Sequence, residues 1–94
     1  MTRKEILAEA ERCVCTNRES EYGSPENNFA KIADLWNAYC GFNEWGFDAK
    51  DVAAMLVLLK IARVNSGHAK ADNWVDIAGY AACGGEIETG VEEC

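Results

Sequence analysis

DAKDVAAMLVLLKIARVNSG, the stretch from Asp48 to Gly67, decides the fold. Asp48 with Asp51 three residues on is a helix-start signature, and Asn65-Ser66-Gly67 is a stop. Between them Val52, Met55, Leu56, Leu59, Ala62 and Arg63 trace one broad face at helical spacing, with no alternation of the kind a strand requires. The segment is apolar nearly all round until Lys60, which predicts a central helix covered on several sides. Its longest apolar run, Val52 to Leu59, falls far short of the roughly 20 residues that cross a bilayer.

Working outward, the same grammar recurs. Upstream, Ser24-Pro25-Glu26 combines a serine cap, a proline at the first helical position and an acid at the positive helix end. Phe29, Ile32, Ala33, Trp36 and Tyr39 or Cys40 then form an apolar face that stops at Gly41. Thr2 and Glu5 form a capping box for a helix from about Arg3 to Cys15, with Ile6, Leu7, Ala10, Cys13 and Val14 at helical spacing. Residues 16–23 read as a loop. Downstream, Asp72 is placed to cap a helix carrying Trp74, Ile77, Ala78, Ala81 and Ala82, which fades near Gly84-Gly85 or a turn later. The aromatic connector Phe42-Asn43-Glu44-Trp45-Gly46-Phe47 reads either as a lid over the core or as a contact for a neighbouring copy. The expectation is an all-α, single-domain antiparallel bundle of about four helices, with its core over residues 3–87 and a frayed tail over 88–94.

Ninety-four residues suffice for one hydrophobic core and not two. So small a core is often completed by a second copy, which predicts a homo-oligomer, a dimer first. The net charge of −7 argues against direct nucleic-acid binding, which needs clustered Lys and Arg. It leaves room for a basic host-protein partner. Five cysteines, Cys13, Cys15, Cys40, Cys83 and Cys94, lack the framework of a stapled secreted domain and read as reduced thiols. Cys13 and Cys15 are too closely spaced for the usual zinc pair. With no apolar signal segment behind Met1, the expected location is the bacterial cytoplasm, without membrane association.

Chemistry has to come from polar residues where packing alone would place apolar ones. Asn73, Asp76 and Tyr80 fall at i, i+3 and i+7, on one stripe of the last helix. Lys60 and Arg63 stand one turn apart on the preceding helix, so antiparallel packing would bring the two sets together. Two outcomes stay open: an ion-pair network that fixes register, or a half-buried pocket with Lys60 and Arg63 as anion anchors. A second cluster, Arg18, Glu21, Tyr22 and Gly23, precedes a helix start where a phosphate or carboxylate is favoured and Tyr22 could stack, or where Tyr22 simply packs on the bundle. His68, the single histidine, sits in a turn with no nucleophile at a meaningful spacing and is assigned no catalytic role.

Four blocks carry a family resemblance. They are Arg18-x-x-x-Tyr22-Gly23-Ser24-Pro25, Ile32-Ala33-x-Leu35-Trp36, Asp51-Val52-Ala53 through Lys60-Ile61-Ala62-Arg63, and Lys70-x-Asp72-Asn73-Trp74-Val75-Asp76-Ile77-Ala78-Gly79-Tyr80. Over about residues 10 to 87 the chain resembles a family of small phage and prophage proteins of unknown function. The Lys60-x-x-Arg63 and Asp72-Asn73-x-x-Asp76-x-x-x-Tyr80 blocks are also similar to helices of phage nucleotide-modification-associated proteins and of MazG-type all-alpha nucleotide pyrophosphohydrolases. Those enzymes hold magnesium on EExxE-like and ExxD helices. Here Asp76 stands at the aspartate position, but Asn73 replaces the glutamate and the helix through Lys60 offers too few carboxylates.

The resemblance therefore implies a helical nucleotide-binding scaffold and counts against metal-dependent hydrolysis. The expectation is a phage-encoded, non-catalytic protein that binds a nucleotide-type ligand, such as a host defence signal, through Arg18, Tyr22, Lys60, Arg63, Asn73, Asp76 and Tyr80. No catalytic residue, cofactor or metal ligand is assigned. The alternatives are a degenerate pyrophosphohydrolase using magnesium on Asp72, Asp76 and Glu86, and an acidic inhibitor of a host protein.

Overall fold

The computed structural model describes residues 1–17 and 25–90, and its regular structure is helical throughout. Helix α1 spans Arg3–Glu11 and runs into a π-helical segment, Arg12–Asn17. Helices α2 (Pro25–Cys40), α3 (Ala49–Val64) and α4 (Ala71–Thr89) follow. The all-α bundle read from the sequence is the observed fold. The start signals act as their chemistry dictates: Thr2 with Glu5, and Asp48 with Asp51, form reciprocal capping boxes. Gly41 takes a left-handed φ of 74° directly after α2, a conformation that side chains with a Cβ disfavour.

The core is assembled from Phe29 and Ala33 of α2, Val52 and Ala53 of α3, and Cys83 of α4. Gly84 allows α3 and α4 to approach closely, since a Cβ there would stand 3.1 Å from that of Ala53. Lys60 meets Asp76 while Ala53 meets Gly84, so ascending α3 corresponds to descending α4 and the two helices are antiparallel. On the other side of α4, Gly79 leaves room for Val14 of the π-helical segment. Asn37 clamps the α2–α3 connector: its side-chain amide donates to the Phe47 carbonyl at 2.9 Å, and its Oδ1 accepts from the Phe47 N–H at 2.7 Å. A Cβ on Gly46 would collide with that amide.

Three expectations are corrected. The central helix is α4, which packs on α3, α1 and α2. Helix α3 instead leaves Met55, Leu58, Leu59 and Ile61 exposed. The helical period reports an apolar surface and is blind to how many neighbours cover it. Asp72 does not cap α4; Lys70 holds that position without any side-chain cap bond, and Asp72 lies inside the first turn. Helix α4 ends about a turn after Gly84-Gly85, the later of the two stops read from the sequence, at a left-handed Gly90. Cys15 is disulfide-bonded, so the reading of five reduced thiols does not hold; Cys13 and Cys40 are free.

The connector splits between its two readings. Phe47 tucks in, edge-on to Trp36 at 5.9 Å and tilted to Phe42 at 5.8 Å, whereas Trp45 is 86% exposed.

Candidate functional site

Of the seven residues singled out by sequence, the structure joins two. Lys60 Nζ lies 2.7 Å from Asp76 Oδ2, with the lysine side chain 12% exposed and the aspartate 35%. This is the interhelical pair anticipated for α3 and α4, closed on itself. A lysine already neutralised at that distance is a poor anchor for an external anion, because a ligand would have to displace an existing partner. The neighbouring Cys13 thiol is held above its ordinary acidity range by burial, with the charges of Glu9 and Asp76 adding to the effect and that of Arg12 opposing it.

The remaining five diverge. Arg63 is exposed in the last turn of α3, where it complements the negative helix end. Tyr80 packs against the core and lines a shallow concavity of about 320 Å³ with Val57, Gly84 and Glu88. Asn73 turns to a different place, the α3–α4 connection. Arg18 and Tyr22 lie outside the described residues.

That connection forms the second concavity, of about 280 Å³, lined by Val64, His68, Lys70, Asn73 and Trp74 among others. Each lining group has a local cause. The end of α3 is closed off by Ser66, whose N–H and hydroxyl both donate to the Arg63 carbonyl. Gly67, at a φ of 89°, then turns the chain. The N-cap Lys70 has an extended backbone and no side-chain acceptor, so nothing caps the start of α4 beyond a 3.3 Å bond from the Asn73 N–H to the Lys70 carbonyl. The first N–H groups of a helix lack intrahelical partners. Those of Ala71 and Asp72 therefore stand at the positive end of a 19-residue helix.

Two side chains complete the site. Asn73 is 8% exposed, the one buried polar residue among those described. No described residue makes a hydrogen bond to its amide, and the amide is not sealed from solvent. Trp74, read from sequence as core, is 50% exposed. Trp74, Lys70 and His68 are the residues that sequence reasoning missed. The usable signal was the absence of an Asx, Ser or Thr residue at position 70, one place before the helix begins.

Among the described residues no group of three or more His, Cys, Asp or Glu side chains is placed to hold a metal ion. Asp72 is exposed and Asp76 is paired to Lys60. No described helix is long and apolar enough to cross a membrane.

The fold and site define a small all-helical protein with a concavity at an uncapped helix start. Comparison with known proteins fixes the family. The model of a domain of unknown function, DUF6378, matches residues 5–88, and the chain belongs to that family. It is 45% identical to the Gene 55 protein of Mycobacterium phage L5 over 76 residues, 81% of this chain and 47% of that protein. To the Gene 55 protein of Mycobacterium phage D29 it is 41% identical over 78 residues, 83% of this chain and 50% of that protein. The chain thus spans about half the length of these phage relatives. No solved structure matches it. The phage side of the sequence resemblance is thereby shown, and the family description carries no pyrophosphohydrolase assignment.

Proposed function

We propose that this chain is a non-catalytic phage protein that binds a small anionic ligand of nucleotide type at the α3–α4 connection. The observation that carries the proposal is the coincidence, in one concavity of about 280 Å³, of Lys70 at the uncapped start of α4, the Asn73 side chain and the half-exposed Trp74 ring. Helix starts attract anions, an amide offers both a donor and an acceptor, and an indole face accepts a stacked ring. Lys60 and Asp76 tie α3 to α4. Sequestration of a host defence signalling nucleotide is the role such binding would serve in a phage.

A thermal-shift panel of nucleotides and cyclic nucleotides tests the proposal, because a ligand at 100 times its Kd stabilises the folded state by about 2.7 kcal/mol. The expected result is a rise in Tm with at least one nucleotide, abolished by Trp74→Ala. A flat panel would overturn it.

A second reading, association with another protein or a second copy of this chain, is favoured by Tyr39 in the last turn of α2 and Trp45 in the α2–α3 connector, 93% and 86% exposed. Aromatic residues of this kind anchor protein interfaces. Light scattering that gives a monomer at high concentration would remove the second copy as the partner.

A further inference from the structure

Independently of the nucleotide reading above, we infer that the outward half of α3 is the contact face of a two-fold dimer, in which α3 packs antiparallel on α3 of a second copy and Asp51 of each copy lies beside Arg63 of the other.

Exposure singles out the face. Leu58 is 65% exposed, and Met55, Leu59 and Ile61 are exposed beside it within two turns of one helix, with Ala54 and Ala62 open between them. No charged residue falls between Asp51 and Lys60. Lys60 itself is held by Asp76 at 2.7 Å, and Lys50 lies 4.0 Å from Asp48. A contiguous exposed apolar patch marks an interaction surface, and the middle of such a surface is depleted of charge.

Charge decides the occupant. Among the described α-helices, α3 alone carries more cations than acids, Lys50, Lys60 and Arg63 against Asp51, in a chain of net charge −7. Two copies that meet on this helix therefore avoid setting one acidic surface against another. Asp51 and Arg63 stand six residues to either side of Val57. An antiparallel pairing centred there puts each carboxylate by the guanidinium of the other copy at both ends of the apolar stretch, whereas a parallel pairing sets like against like. It also brings the positive start of each α3 to the negative end of the other. Asp51 Oδ2 accepts the Asp48 N–H at 3.0 Å, which leaves its Oδ1 for Arg63 of the second copy.

Shape agrees with the same register. Met55 and Leu59 stand two residues to either side of Val57, so they face each other across the two-fold axis. Ile61 comes over Ala54 of the second copy, beside the shallow concavity of about 320 Å³ between α3 and α4, where Val57, Ala81 and Gly85 leave room for its side chain. Large side chains of one helix thus enter a gap lined by small ones of the other, the way helix ridges pack into grooves. The 16 residues of α3 give a contact about 24 Å long at 1.5 Å per residue.

The test is sedimentation equilibrium of the full 94-residue chain from micromolar to near-millimolar concentration. The expected result is a monomer–dimer equilibrium that Leu58→Glu weakens about a hundredfold or more, since a substitution in a two-fold interface counts twice. Arg63→Glu is expected to weaken it about tenfold, and Asp51→Lys combined with Arg63→Glu to restore it. Leu58 and Arg63 are exposed, so these variants keep the monomer fold, which circular dichroism checks for each protein. On the unmodified chain, which needs no variant to fold, dilution is expected to shift amide signals within residues 54–62. A monomer throughout the range overturns the inference. A dimer that survives Leu58→Glu, or that Trp45→Ser dissolves in its place, overturns the face. A folded double variant that stays as weak as Arg63→Glu alone overturns the antiparallel pairing. None of these outcomes bears on the nucleotide reading, whose thermal-shift panel requires no dimer.

Discussion

Replacing Asp76 should destabilise the bundle more than replacing Lys60, although the two residues form a single ion pair. The asymmetry follows from burial: the Lys60 side chain is 12% exposed and that of Asp76 35%. At 2.7 Å and an effective dielectric of about 20, their attraction is roughly 6 kcal/mol, offset in large part by the cost of taking the ammonium out of water. In Asp76→Asn that cost remains and the attraction is gone. Full burial would make the loss about 3–5 kcal/mol, and the partial exposure of the pair reduces it to about 2–3 kcal/mol. For a domain of this size that corresponds to a Tm lower by roughly 10–20 °C. Lys60→Met keeps an unbranched stem against α4 while the freed carboxylate turns to water, so its loss should stay near 1 kcal/mol. The double variant Lys60→Met with Asp76→Asn should then be more stable than Asp76→Asn alone. Urea denaturation of the four proteins at constant salt gives the cycle. A Lys60→Met loss equal to or above that of Asp76→Asn, or simple additivity, would refute the assignment of Lys60 to register.

Two further outcomes are expected from the ends of the helices. Asn37→Ala removes both bonds to Phe47, each worth about 1 kcal/mol, so the urea midpoint should fall by the equivalent of about 2 kcal/mol with an unchanged m-value; a change under 0.5 kcal/mol would deny the clamp. Asp48→Ala removes the α3 cap and should lose about 1 kcal/mol at pH 7. The backbone N–H of Asp51 holds the Asp48 carboxyl below its usual range. Its contribution is therefore complete above the ordinary carboxylate value near 3.9 and disappears as pH falls through the lower folded value. Stability curves of the two proteins should converge in acid, and a constant gap down to pH 2 would be inconsistent with this cap.

Legibility in the sequence tracked how local each cause was. Thr2 with Glu5 and Asp48 with Asp51 are bonds across three residues, and both capping boxes are present as read. The stop at Gly41 is equally local. The hub was not local. Helix α3 is more continuously apolar than α4, yet α4 is central because its small residues Gly79 and Gly84 allow two elements to approach it, Val14 on one side and Ala53 on the other. A hydrophobic period records side chains that prefer burial and passes over glycines that permit it.

The candidate site shows the same division more sharply. Asn73, Asp76 and Tyr80 do share a stripe, but at a rise of 1.5 Å per residue the seven-residue step from Asn73 to Tyr80 is about 10 Å, too long for the one concavity at Asn73 to gather all three. The stripe accordingly divides into a concavity at Asn73, a closed pair at Asp76 and a packed ring at Tyr80. Cationic side chains drew attention to Lys60 and Arg63, whereas the strongest unmet donors in this region are backbone N–H groups at Ala71 and Asp72, which exist at every helix start and carry no residue signature. What distinguishes this helix start is a cap that is missing. Lys70 occupies the position where Ser, Thr, Asn or Asp would have satisfied one of those donors internally, so the residue that leaves α4 uncapped also leaves its first N–H groups without a side-chain partner.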